Sequence, residues 1–89
     1  MSVSFSKLIK AGNRLHEFNF RAMPPDHKKY HVDVPDGKGN RIVFHMYKDD
    51  KEGWKTTDSI PSWIHSAEEY LSEAIEQVES QIKQSSSRR

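Results

Sequence analysis

Residues 28–48, KKYHVDVPDGKGNRIVFHMYK, decide how this chain folds. Tyr30, Val32 and Val34 alternate with Lys29, His31 and Asp33, and Ile42, Phe44 and Met46 alternate with Val43, His45 and Tyr47. A period of two is the mark of a β-strand with one buried face. Between the two runs stands Pro35-Asp36-Gly37-Lys38-Gly39-Asn40. Its proline cannot continue a hydrogen-bonded ladder, and its two glycines tolerate positive φ, so the segment predicts a hairpin. Pairing Val34 with Ile42 sets every apolar residue of the first run opposite an apolar residue of the second. It also sets His31 across from His45 on the other face. A one-residue slip would mix the faces, so the pattern resists it.

Working outward, Leu15 to Met23 reads as a preceding strand, with Phe18, Phe20 and Ala22 on the core face and Glu17, Asn19 and Arg21 opposite. Pro24-Pro25-Asp26 stops it. Asp49-Asp50-Lys51-Glu52-Gly53 reads as a second hairpin loop, leading to a short fourth strand from Trp54 to Thr57. Ile60, Trp63 and Ile64 are too apolar for a free connection and are expected to plug one end of the core. Both Trp54 and Trp63 are read as core residues, supplying the bulk a small domain needs.

The pattern changes after residue 65. Leu71, Ile75, Val78 and Ile82 recur at helical spacing, with Ala67 and Ala74 on the same side and Glu69, Glu73, Glu76 and Ser80 opposite. Ser66 followed by Glu69 reads as a capping box, and Glu68 and Glu69 suit the positive end of the helix dipole. The helix is expected to fade near Gln84. The stripe is too short for a coiled-coil seam, and the sheet needs a cover. At the other end, Ser4 to Gly12 reads as a short N-terminal helix, with Phe5, Leu8 and Ile9 as its stripe, Ser4 as N-cap and Gly12-Asn13 as a left-handed stop.

The sum is an α+β fold in two layers. An antiparallel meander of three to four strands is covered on one face by a long C-terminal helix, with a short helix at the N-terminus. Phe18, Phe20, Val32, Val34, Ile42, Phe44 and Met46 are expected to meet Leu71, Ile75 and Val78. With 89 residues the chain forms one domain over 1–84, followed by a disordered polar tail over 85–89. Stability is expected to be on the order of several kcal/mol.

Charge divides along the same line. Residues 1–48 hold nine Lys/Arg against four Asp/Glu, a net of +5, whereas residues 49–89 hold five against nine, a net of −4. The overall charge is only +1, so any attraction to polyanions must come from the local basic face. There is no cysteine, which removes disulfides and thiolate metal sites and fits a reducing compartment. No apolar run is long enough for a signal core or a membrane span, so a cytoplasmic location without membrane contact is expected.

The uncovered sheet face is the candidate site. It is expected to display Glu17, Asn19, Arg21, Lys29, His31, Asp33, Val43, His45 and Tyr47, with Arg21, Lys29, His31, His45 and Tyr47 at its centre. Cations that track phosphates beside a ring that stacks on bases are what single-stranded nucleic acid requires. The same alternation is also what an ordinary solvated sheet face shows. Two cross-strand histidines with Asp33 raise a metal reading, but the spacing matches no metal motif, and no metal or cofactor is expected. No phosphate loop, nucleophile elbow or thiol is present, so no catalytic residue is assigned. The function expected is a non-catalytic binding or adaptor domain, monomeric or weakly dimeric, with an unknown protein partner. The alternative is a module binding single-stranded RNA or DNA through the same face.

Overall fold

The computed structural model describes residues 3–23, 28–51 and 53–87, with side chains through Gln81. The proline stop at Pro24-Pro25-Asp26, Glu52 of the second hairpin, the Ile82 side chain and the end of the tail at 88–89 lie outside the described residues. Five strands follow one another: β1 (Ser4–Ala11), β2 (Arg14–Ala22), β3 (Lys29–Pro35), β4 (Arg41–Asp49) and β5 (Gly53–Lys55). They form one antiparallel sheet in the order β1-β2-β3-β4-β5. A single-turn helix α1 (Ser62–His65) and the long helix α2 (Glu68–Ser87) complete the chain.

The central hairpin follows the apolar alternation. Val34 pairs with Ile42, Val32 with Phe44, Tyr30 with Met46 and His31 with His45. Asp36 organises the turn, since its Oδ1 accepts the N–H of Lys38 at 2.7 Å and of Asn40 at 3.1 Å.

The N-terminal segment is the main correction. Ser4–Ala11 is not a helix but strand β1, paired along its whole length with β2 from Ser4↔Arg21 to Ala11↔Arg14. Gly12-Asn13 is the two-residue hairpin turn between them, and Gly12 has φ 66° as such a turn requires. Phe5, Leu8 and Ile9 would make a helical stripe, but an isolated two-turn helix is marginal. As a strand the same segment pairs the otherwise open edge of β2 and buries Ile9 and Ala11. Phe5 then stacks on Phe20 with ring centroids 4.5 Å apart. Leu8, expected in the core, points to the opposite face. The sheet accordingly has five strands rather than three to four.

The core contains Phe18, Phe20, Tyr30, Val32, Val34, Phe44, Met46 and Trp54 from the sheet, and Ile64, Ala67, Leu71, Ala74 and Ile75 from the helices. Ile42 is only partly buried and packs at its margin. Trp63 stacks on His16 at 4.4 Å, so α1 with Ile60 closes one end of the core as expected. The Tyr30 hydroxyl crosses the core to donate to Glu79 Oε2 at 3.0 Å. Burial, and then the Glu79 carboxylate beside it, push the phenol well above its ordinary range.

Ser66 does not cap α2. It ends α1 in helical conformation (φ −67°, ψ −17°), whereas an N-cap needs extended backbone, and its hydroxyl donates to Trp63 O at 2.9 Å. Glu68 supports a different contact, accepting the Thr56 N–H at 3.0 Å. Helix α2 continues past Gln84 to Ser87.

Helix α2 touches both ends of the sheet. Ser72 Oγ accepts the Trp54 N–H of β5 at 2.9 Å, and Gln77 Oε1 accepts from Lys7 Nζ of β1 at 3.4 Å. The edges of a flat five-stranded sheet lie about 19 Å apart, roughly twice a helix diameter, so the sheet must curl around α2. The contact with β5 depends on Gly53, which has φ 80°; a Cβ there would lie 2.7 Å from Ser72 Oγ and 3.1 Å from Glu76 Oε2. Gly53→Ala is expected to cost about 1–3 kcal/mol, combining left-handed strain with displacement of α2. A fall in the urea midpoint with unchanged slope checks this, and an unchanged midpoint refutes the close approach.

Candidate binding face

Because α2 fills the concave side of the sheet, the alternate side chains form an uncovered convex face. Arg21 of β2 pairs with His31 of β3, and His31 pairs with His45 of β4. Lys29 pairs with Tyr47. The five expected site residues thus stand in two neighbouring rows on one face.

Backbone hydrogen bonding brings the two histidines close. The His45 N–H is donated to Asp58 Oδ2 at 2.6 Å, away from β3, so His31 and His45 occupy a pair without mutual backbone bonds, where side chains approach most closely. Their ring centroids lie 5.4 Å apart, edge to face. Each imidazole has its own carboxylate: His31 Nδ1 lies 3.8 Å from Asp33 Oδ2, and His45 Nδ1 lies 3.5 Å from Asp58 Oδ2. Among the described residues no three His, Asp or Glu side chains are grouped to hold a metal ion. Lys29 Nζ sits 5.6 Å from the centroid of the Tyr47 ring, in cation–π range.

Beside these rows a polar chain crosses four strands. Ser6 Oγ donates to Asn19 Oδ1 at 2.5 Å, Asn19 Nδ2 donates to Asp33 Oδ1 at 2.9 Å, and Arg41 Nη1 donates to the same oxygen at 2.6 Å. Partial burial alone would raise the Asp33 carboxyl. The bonds from Asn19 and Arg41, with the charges of Arg41 and His31, outweigh it and hold the group below its ordinary value. Asp33 is therefore a committed anion whose charge is already met. A shallow hollow of about 440 Å3 lies over this region, lined by Ser4, Ser6, Asn19, Arg21, His31 and Asp33 together with Phe5 and Phe20.

Sequence reasoning missed several members of the face. Ser4 and Ser6 were hidden by the helical reading of β1. Asp58 sits in a connection with no periodic signal. Only the shortness of β5, which leaves the His45 N–H without a strand partner, hints that something must cap it.

No family model, curated protein or solved structure matches the chain. Among the described residues no helix is long and apolar enough to cross a membrane.

Proposed function

We propose that the chain is a small non-catalytic binding module, acting in the cytoplasm on a protein partner through the convex face of its sheet, with Arg21, Lys29, His31, His45 and Tyr47 at the centre. The observation that supports this reading is convergence. Side chains from β2, β3 and β4 meet on a face that α2 leaves open, beside the hollow over Arg21 and His31. The Ser6–Asn19–Asp33–Arg41 chain beside these residues is already hydrogen-bonded, which reduces the ordering cost of association at that part of the face. Arg21→Ala with Tyr47→Ala removes two exposed side chains and is expected to leave stability within about 0.5 kcal/mol per site. The same double variant is expected to lose proteins that the native chain retains from lysate. Equal retention by both would refute the reading.

One observation favours single-stranded nucleic acid as a second reading. Asp33 is met by Arg41, while no ion pair to a carboxylate is formed by Arg21 or Lys29 among the described residues. Lys29 beside the Tyr47 ring, with Arg21 two strands away on the same face, fits a stretch of phosphates and stacked bases. Titration of labelled protein with mixed short oligonucleotides separates the readings. Amide shifts clustered at Arg21, Lys29, His31, His45 and Tyr47, and reversed by moderate salt, would establish nucleic-acid binding. Their absence removes it.

A further inference from the structure

The two ends of the sheet are finished differently. At the β4–β5 end, side chains close the backbone: Ser72 takes the Trp54 N–H, Glu68 the Thr56 N–H and Asp58 the His45 N–H. At the other end, β1 presents an open edge. The Ala22 N–H is donated to Val3 O at 2.8 Å, which places the backbone groups of Val3, and by alternation those of Phe5, Lys7, Ile9 and Ala11, toward β2. The N–H and C=O groups of Ser4, Ser6, Leu8 and Lys10 therefore point outward, and none has a hydrogen-bond partner among the described residues. The strand has neither proline nor bulge to blunt it.

Exposed apolar side chains gather along this edge. Leu8 is 64% exposed and Leu15 66%, and they are diagonal neighbours on the convex face, because Leu8 pairs with Glu17 and Lys10 with Leu15. On the concave side Tyr70 of α2 is 56% exposed. Between β1 and α2 runs a groove of about 520 Å3, bordered by the Lys7–Lys10 stretch of β1 and by Tyr70, Glu73 and Ala74 of α2, with Lys7 and Ile9 on its side of the strand.

We infer that β1 is a docking edge for an extended segment of another protein, which adds a sixth strand to the sheet. Main-chain bonds to Ser4, Ser6, Leu8 and Lys10 supply affinity, and alternate side chains entering the groove supply selection. The charge of β1 selects the occupant. Its only charged residues are Lys7 and Lys10, one on each face of the strand. In the register that pairs Ser4 with Lys10 and Ser6 with Leu8, a second copy of β1 would set Lys7 opposite its own counterpart, and like charges across a strand pair are destabilising. In a segment that alternates apolar residues with Asp or Glu, the acids on the convex side meet Lys10 and the apolar side chains enter the groove on the other side. This edge adjoins the convex face at Ser4 and Ser6, but strand addition there uses none of Arg21, Lys29, His31, His45 or Tyr47.

The probe is an acetylated, amidated peptide EVEVEVE, with KVKVKVK and a backbone N-methylated EVEVEVE as controls, added to full-length 15N-labelled protein. The acidic peptide at about 1 mM, the weak end of specific affinity, is expected to slow amide exchange at Ser4, Ser6, Leu8 and Lys10. About tenfold slowing corresponds to a peptide concentration ten times Kd. Neither control should do so. Leu8→Pro removes one outward N–H without touching the β1–β2 ladder and should abolish the protection. If that variant does not fold, the N-methylated peptide makes the same test. Unchanged exchange, equal protection by KVKVKVK, or equal protection by the N-methylated peptide would each overturn the inference. Protection that rises with protein concentration alone, together with a doubled mass, would overturn it in favour of self-pairing.

Discussion

Leu71→Ala is expected to lower the free energy of unfolding by about 2–5 kcal/mol. Leu71 is fully buried at the middle of the α2 stripe, with Ala67, Ala74 and Ile75 on the same side. Truncation removes apolar contacts from water-free surroundings and leaves a cavity. The curled sheet is hydrogen-bonded from β1 to β5 and cannot easily collapse into that space. Small domains have a total stability of only about 5–15 kcal/mol, so a loss of this size takes a large fraction of it. Glu73 lies two residues along, on the exposed side of the same helix, and Glu73→Ala is expected to shift stability by less than about 0.5 kcal/mol. Urea unfolding of both variants checks the contrast. Comparable losses at Leu71 and Glu73 would mean that α2 does not bury the Leu71–Ile75 face.

The sheet was legible where one face is buried and the other wet. From β2 to β4 the alternation of Phe18, Phe20, Val32, Val34, Phe44 and Met46 leaves one pairing that keeps apolar residues together, so the His31–His45 pair followed without any knowledge of tertiary contacts. The β1 segment was ambiguous because Phe5, Leu8 and Ile9 satisfy a helical period, whereas Phe5, Ile9 and Ala11 also satisfy a strand's. Gly12-Asn13 serves equally as helix stop or hairpin turn. What decides is not local: β2 has an edge to be paired, and Phe5 has Phe20 to stack on. Ser66 failed for a related reason. Its capping-box spacing is intact, but the turn begun at Pro61 already holds its N–H through Ser62 O, so its backbone is helical before α2 starts. Of the candidate site, the strand-borne residues could be placed by parity alone. Asp58 could not, because its position depends on the path of an irregular connection.

Trp54→Ala is expected to cost about 3–5 kcal/mol, while Trp54→Phe is expected to stay within about 1 kcal/mol of the native chain. The indole is 2% exposed and meets Tyr30 edge to face at 5.0 Å, with Lys48 Nζ 5.7 Å from its ring centroid. Lys48 is in turn 3.3 Å from Glu76 Oε2, so the ring lies where β4, β5 and α2 meet. Alanine would open a large void at that junction. Phenylalanine keeps most of the ring and removes the Nε1–H, which is buried without a hydrogen-bond partner among the described residues. Deleting an unsatisfied buried donor recovers part of its desolvation cost, which offsets the smaller ring. The comparison of the two variants therefore separates the packing of the indole from its polarity. A loss of several kcal/mol in Trp54→Phe would show that the Nε1–H makes a strong hydrogen bond after all. A small loss in Trp54→Ala would show that the β5–α2 junction contributes little to the stability of the fold.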